Sequence, residues 1–136
     1  MIGFRDEDIL VMDLGLTSES HFRSLLESDE REMSVVISDP FQKDNPMIFV
    51  SDEFEKQTGY TSAEAIGQNC RFLQGEHTSP HAIEAIRQGL LAQTRFTIDI
   101  LNYRKNGEPF VNRLRIRPIY DGEGRLIFYA GAQNPV

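Results

Sequence analysis

Residues 95 to 134 constrain the fold more than any other part of the chain. Three stretches there, about 95 to 104, 109 to 120 and 125 to 134, alternate apolar and polar side chains. A period of two describes strands with one buried face. Asn106-Gly107 and Asp121-Gly122-Glu123-Gly124 separate the stretches, and both are turn sequences suited to tight antiparallel connections. Three consecutive hairpin-linked strands demand an antiparallel sheet around which the rest of the chain must fit.

Upstream, Ser34 to Ser38 reads as a short β-branched strand stopped by Asp39 and Pro40, and Met47 to Val50 as a second one following Pro46. A helix is expected over residues 17 to 32, capped by Thr17 or Ser18, with Phe22, Leu25 and Leu26 on its apolar face. Ser51 or Asp52 caps another that runs to Thr58-Gly59. Thr61 with Glu64 makes a capping-box pattern, closed near Gly67. Ser79-Pro80 opens the best helix, over about 80 to 91, with Ile83, Ile86 and Leu90 on one side. The predicted class is α+β, an antiparallel sheet with helices gathered on one face.

In each of the last three strands an amide falls in phase with the apolar residues. Asn102 shares a face with Phe96, Ile98 and Ile100, Asn112 with Phe110, Leu114 and Ile116, and Gln133 with Ile127, Tyr129 and Gly131. A three-residue loop at 106 to 108 would set Asn102 opposite Asn112, and a four-residue loop at 121 to 124 would set Asn112 opposite Gln133. An unpaired buried amide costs about 1 to 3 kcal/mol, so three in a row point to one another or to a planar ligand with amide-like edges. The alternative is a position at the sheet margin, satisfied by loop backbone or water. Gly131 would let a flat ligand approach the backbone.

The chain of 136 residues suits one domain. Its net charge of −7 argues against nonspecific nucleic-acid binding. The whole excess lies in residues 1 to 39, with ten acidic and three basic side chains, whereas residues 40 to 136 carry eleven of each. Domain boundaries are therefore drawn at 1–32, an acidic helical extension, and 33–136, the core. A single cysteine, Cys70, excludes an intrachain disulfide. With neither a signal-peptide pattern nor an apolar run long enough for a bilayer, a soluble cytoplasmic protein is expected. Arg87 lies at helical spacing with Ile83 and Leu90, on the packing side of its helix, and Arg71 follows Cys70; two such guanidiniums could clamp a phosphate. Alternatively both reach the surface or pair with nearby Glu residues.

Residues 67 to 75 read GQNCRFLQG, and with SDPFQKDNPMIFVSDEF upstream and LNYRKNGEPFVNRLRIRPIYDGEGRLIFYAGAQ downstream this resembles the LOV (light, oxygen, voltage) class of PAS domains. The similarity spans residues 33 to 134. It implies a five-stranded antiparallel sheet with helices over one face, noncovalent FMN in the dark, and a blue-light-driven, thermally reversible thioether between the motif cysteine and flavin C4a. By that resemblance Cys70 is the adduct-forming thiol, Asn69 and Gln74 lie along the ribityl and ring region, and Arg71 and Arg87 bind the phosphate. Asn102 and Asn112 read the pyrimidine edge, and Gln133 bonds near O4 and N5. Met47, Val111 and Leu114 depart from residues common in the family, which bears on adduct lifetime. The implied function is a non-enzymatic blue-light photoreceptor similar to bacterial short LOV proteins. A flavin redox sensor or electron carrier and a PAS interaction module are the competing readings.

Rotation of the Gln133 amide would answer a change from acceptor to donor at N5. Val136 ends the chain almost directly after the Gln133 strand, so output is expected through the sheet surface, the N-terminal extension or a separate effector protein. The acidic extension complements an outward row of Arg113, Arg115 and Arg117. Residues 1 to 32 are expected to pack across the sheet's outer face through Phe22, Leu25 and Leu26, within one chain or between two copies in a homodimer.

Overall fold

Alternation along the strands is realised as one antiparallel sheet in the order β2-β1-β5-β4-β3. The strands are β1 (Ser34–Ser38), β2 (Met47–Val50), β3 (Phe96–Tyr103), β4 (Pro109–Tyr120) and β5 (Leu126–Pro135). The computed structural model describes residues 16–136, with side chains from Glu19 onward. The expected caps Thr17 and Ser18 therefore lie outside the described side chains, and residues 1–15 lie outside the description altogether.

The helices are α1 (Leu16–Ser24), α2 (Asp52–Thr58), α3 (Ser62–Ala65) and α4 (Pro80–Ala92), with 3-10 turns at Glu30–Glu32 and Cys70–Leu73. Local chemistry sets their ends. Ser51 caps α2 by accepting from Phe54 N, and Gly59 closes it at φ 82°, a left-handed conformation that favours glycine. Thr61 and Glu64 form the expected reciprocal capping box on α3. Ser79 caps α4, with Pro80 at its first position.

Two register expectations fail. The β3–β4 loop has three residues but starts at Lys105, since Arg104 N donates to Glu108 O at 2.9 Å. Asn102 consequently faces Phe110, and Asn112 faces Ile100. Between β4 and β5 the register shifts at Ile119/Tyr120, so Asn112 faces Pro135 and Gln133 faces Leu114. Both displacements are by two residues, and an even slip keeps every side chain on its face. The irregularity also puts Leu126, rather than Ile127, against the helix-side apolar cluster.

The helix-covered face carries two apolar clusters. One joins Val36, Met47 and Val50 to Phe54 of α2, Ala65 of α3 and Leu73. The other joins Ile100, Leu114, Ile116 and Tyr129 to Ala82, Ile86 and Leu90 of α4. Ala82 is the buried residue of that helix; Ile83, expected on its packing side, is 39% exposed.

The opposite face is covered by residues 22 to 33 of the same chain. The helix expected to reach residue 32 stops at Ser24, because Leu25 N and Leu26 N bond three residues back to Phe22 O and Arg23 O and tighten the last turn. Its continuation drops onto the sheet, where Leu26 packs with Val35, Ile37, Phe49 and Ala132, flanked by Phe22, Leu25 and Met33. The Phe22 ring lies 5.9 Å from that of Phe128, edge to face. Arg117 fastens this segment: it donates to both carboxylate oxygens of Glu30, at 2.8 and 2.7 Å, and to Leu25 O at 2.8 Å. Glu30 is 3% exposed and Arg117 8%. Arg115 pairs with Asp29 at 2.8 Å. Arg113, expected in the same row, instead holds Asp99 on its cross-strand neighbour β3.

Leaving one member of a buried ion pair alone costs about 3 to 5 kcal/mol, far more than loss of an exposed pair. Glu30→Ala is expected to lower the unfolding free energy by about that amount, while Asp29→Ala leaves it nearly unchanged. Urea denaturation of the two variants checks the difference.

Candidate functional site

The cysteine turn is built onto β2 before any question of chemistry arises. Met47 N donates to Gln68 O and Gly67 N to Met47 O, both at 2.8 Å, so the segment ahead of Cys70 runs locked to the strand. Asn69 caps the 3-10 turn: its Oδ1 accepts from Arg71 N at 2.9 Å and its Nδ2 donates to Asp44 O at 2.7 Å. Arg71 clamps the Asp44 carboxylate with two bonds of 2.6 and 2.5 Å. One residue of the β1–β2 loop thus orients both flanks of the cysteine.

Cys70 is half-buried and packs against the cluster of Val36, Met47, Phe54 and Leu73. Desolvation pushes its thiol above the ordinary range, opposed only in part by its own backbone hydrogen bond and by Arg71. The group is a neutral thiol at pH 7, unlike the thiolate of a conventional cysteine nucleophile. Gln74 ends the turn by donating its backbone N–H to Arg71 O at 2.9 Å. Its side chain has no hydrogen-bond partner among the described residues.

All three amides are buried on the helix-covered face. Asn112, fully buried, donates to Asn102 Oδ1 at 3.0 Å and accepts Asn134 N at 3.1 Å. The two side chains meet although they are diagonal, not opposite, in register. Asn102 Nδ2 reaches only the carbonyl of its own neighbour Leu101, at 3.2 Å. Gln133 Oε1 accepts from Ser34 Oγ at 3.4 Å, and its Nε2 has no partner among the described residues. A row of amides with spare donors on an apolar face suits a planar ligand that offers acceptors along its edge.

Gly131 marks the seam between the two apolar clusters. A Cβ built there would meet Val36 of one cluster at 3.4 Å and Leu114 of the other at 3.5 Å, which is ordinary contact. Packing within the protein therefore does not require a glycine at this position. Val36, the register partner of Gly131, belongs to the cluster against which Cys70 packs, so the cysteine side and the amide side converge across this seam.

The arginines behave differently. Arg87 is exposed and clamps Glu84 with bonds of 2.8 and 2.7 Å, which holds that carboxyl down at about 2. The reading that placed it on the packing side of α4 is thus corrected, since Ala82 occupies that side. Arg71 and Arg87 each hold a separate carboxylate. Asp44 and Ser34, the partners of Arg71 and Gln133, escaped the sequence analysis. Nothing local announces Asp44, and Ser34 shows only as a small polar residue opening a β-branched strand.

The PAS domain family matches residues 32–134. A light-oxygen-voltage domain whose structure was solved in work with a flavin analogue superposes with a TM-score of 0.75 at 40% identity, over 93% of this chain and 87% of that one. This chain is a LOV domain of the PAS family. Blue-light-activated histidine kinase 1 of Erythrobacter litoralis is 41% identical over 112 residues, 82% of this chain and 31% of the kinase. A blue-light photoreceptor of Listeria innocua is 46% identical over 104 residues, 76% of this chain and 41% of that protein. The LOV domain thus spans less than half the length of either curated relative. No helix among its described residues is long and apolar enough to cross a membrane.

The thiol's elevated pKa has a direct consequence. Alkylation of Cys70 in the dark, folded protein is expected to be slow at neutral pH and to accelerate only above the usual thiol range, where the thiolate forms. Mass spectrometry of iodoacetamide labelling against pH checks this, and rapid labelling at pH 7 would contradict it.

Proposed function

We propose that this LOV domain is a non-enzymatic blue-light photoreceptor that holds FMN and forms a reversible thioether between Cys70 and flavin C4a. The observation that carries the reading is a neutral, desolvated thiol packed on one side of a seam whose other side presents three buried amides with spare donors. Excitation of the bound flavin would supply the reactivity that a protonated thiol lacks. The names of the relatives support the blue-light assignment, and the flavin analogue used with the solved LOV domain supports the chromophore class.

Within this reading Asn102 and Asn112 hold the pyrimidine edge, and Gln133 faces O4 and N5. Asn69 and Gln74 flank the ribityl and ring region. Arg71 and Arg87 bind the phosphate after sharing or exchanging Asp44 and Glu84. Gln133 is the switch, because its amide offers either a carbonyl or an NH2 group after rotation. Residues 1–32 form a cap on a core of 33–136, and the signal leaves through β5 and the sheet to that cap, in one chain or across a homodimer. The chain acts in the cytoplasm on an effector protein. The match covers only 31% of the Erythrobacter litoralis histidine kinase, and this reading assigns catalysis to the remainder of such relatives.

Purified protein is expected to be yellow, to bleach reversibly under blue light, and to retain flavin without bleaching after Cys70→Ser. A yellow protein that does not bleach would favour redox work, and a colourless one an interaction module. Gly131→Ala separates ligand binding from packing. With no protein atom closer than 3.4 Å to the new methyl group, flavin-free protein should keep or slightly raise its denaturation midpoint, while flavin affinity falls severalfold. Parallel dye-free thermal melts and flavin titrations measure both quantities.

A further inference from the structure

Ser34 is one of ten buried polar or charged residues among the described residues, and its hydroxyl points at the group proposed above as the switch. Ser34 and Gln133 are register partners across β1 and β5, on the helix-covered face, and the Ser34 Oγ to Gln133 Oε1 distance is 3.4 Å. The backbone on either side of Ser34 is pinned by one group. Ser51 Oγ accepts Val35 N at 2.9 Å and donates to Met33 O at 3.2 Å, while Ser51 N donates to Val35 O at 2.9 Å. The Ser34 backbone is therefore held in place opposite a side chain that has a rotatable amide.

We infer that Ser34 is a positioning residue that sets the orientation of the Gln133 amide and follows its rotation. In the present orientation the hydroxyl donates to Oε1, directing the carbonyl toward β1 and leaving Nε2 free. After a half-turn of the amide the same hydroxyl accepts from Nε2, because a serine oxygen is both donor and acceptor. Neither orientation leaves the β1 side of the amide unpaired in a buried site, so rotation is inexpensive. The movement is also read at once outside the site: Ser34 is separated only by Met33 from the 3-10 turn whose Glu30 holds Arg117.

The inference rests on the photoreceptor reading for its consequence and on the hydrogen bond for its cause, so two readouts test it in the full chain. Ser34→Thr keeps the hydroxyl, and Ser34→Val replaces it in nearly the same shape. In dark protein, the Gln133 side-chain amide resonances in nitrogen-proton correlation spectra should move in Ser34→Val and stay near the wild-type position in Ser34→Thr. Thermal recovery after illumination should change severalfold between the two variants, and the difference should vanish in a Gln133→Leu background. Resonances that respond equally to both substitutions, or a recovery difference that persists without Gln133, would overturn the inference. If wild-type protein fails to bleach, the photoreceptor reading falls while the resonances still decide whether the hydroxyl sets the amide.

Discussion

β1 and β5 pair along their length although Ser34 and Gln133 are 99 positions apart, and the arrangement of the whole domain depends on that pairing. β1 brings with it β2, and β2 carries the backbone bonds that seat the cysteine turn. β5 brings β4 and β3, with the three amides. Without the central pair the cysteine half and the amide half would each be a small layer with an uncovered apolar face. With it, Val36 and Gly131 stand side by side where the two clusters on the helix-covered face meet. The same pair defines the other face, where Val35, Ile37 and Ala132 receive Leu26.

The two faces are stabilised in different ways. Under the helices, apolar side chains surround amides whose donors are only partly used, an arrangement suited to a polar planar ligand. On the outer face, apolar contact is combined with a buried, doubly bonded Arg117–Glu30 pair. Such a pair contributes little net stability relative to apolar substitutes, but it penalises any misplacement of its partners severely. Its effect is to fix where the N-terminal segment sits. Signals from the amide face thus have a short physical route: β1 forms one edge of the site and continues directly into the fastened segment.

Much of this was legible from sequence because the determinants are local. Strand alternation, the Ser51, Thr61 and Ser79 caps, and the placement of three amides on one face all follow from periods and neighbours. Register was not, since Asn106-Gly107 fits a loop beginning at either Lys105 or Asn106, and only the Arg104–Glu108 backbone bond chooses between them. An error of two residues preserves the face but misplaces the partner. The same limit hid the pairing of Arg71 with Asp44, of Arg117 with Glu30 and of Arg113 with Asp99. Charge balance predicts that an acidic segment meets arginines, but not which carboxylate becomes buried. The helix expected through residue 32 stopped early because the sheet's apolar surface and the Arg117 bond to Leu25 O outweighed continued helical periodicity.

The protonated state of Cys70 in the dark and its consumption by light are the centre of the proposed chemistry, and infrared difference spectroscopy observes the S–H bond itself. A dark S–H stretching band that disappears under blue light and returns at the rate of thermal recovery is the predicted result. Absence of the band in the dark, or a band indifferent to light while the flavin bleaches, would contradict it.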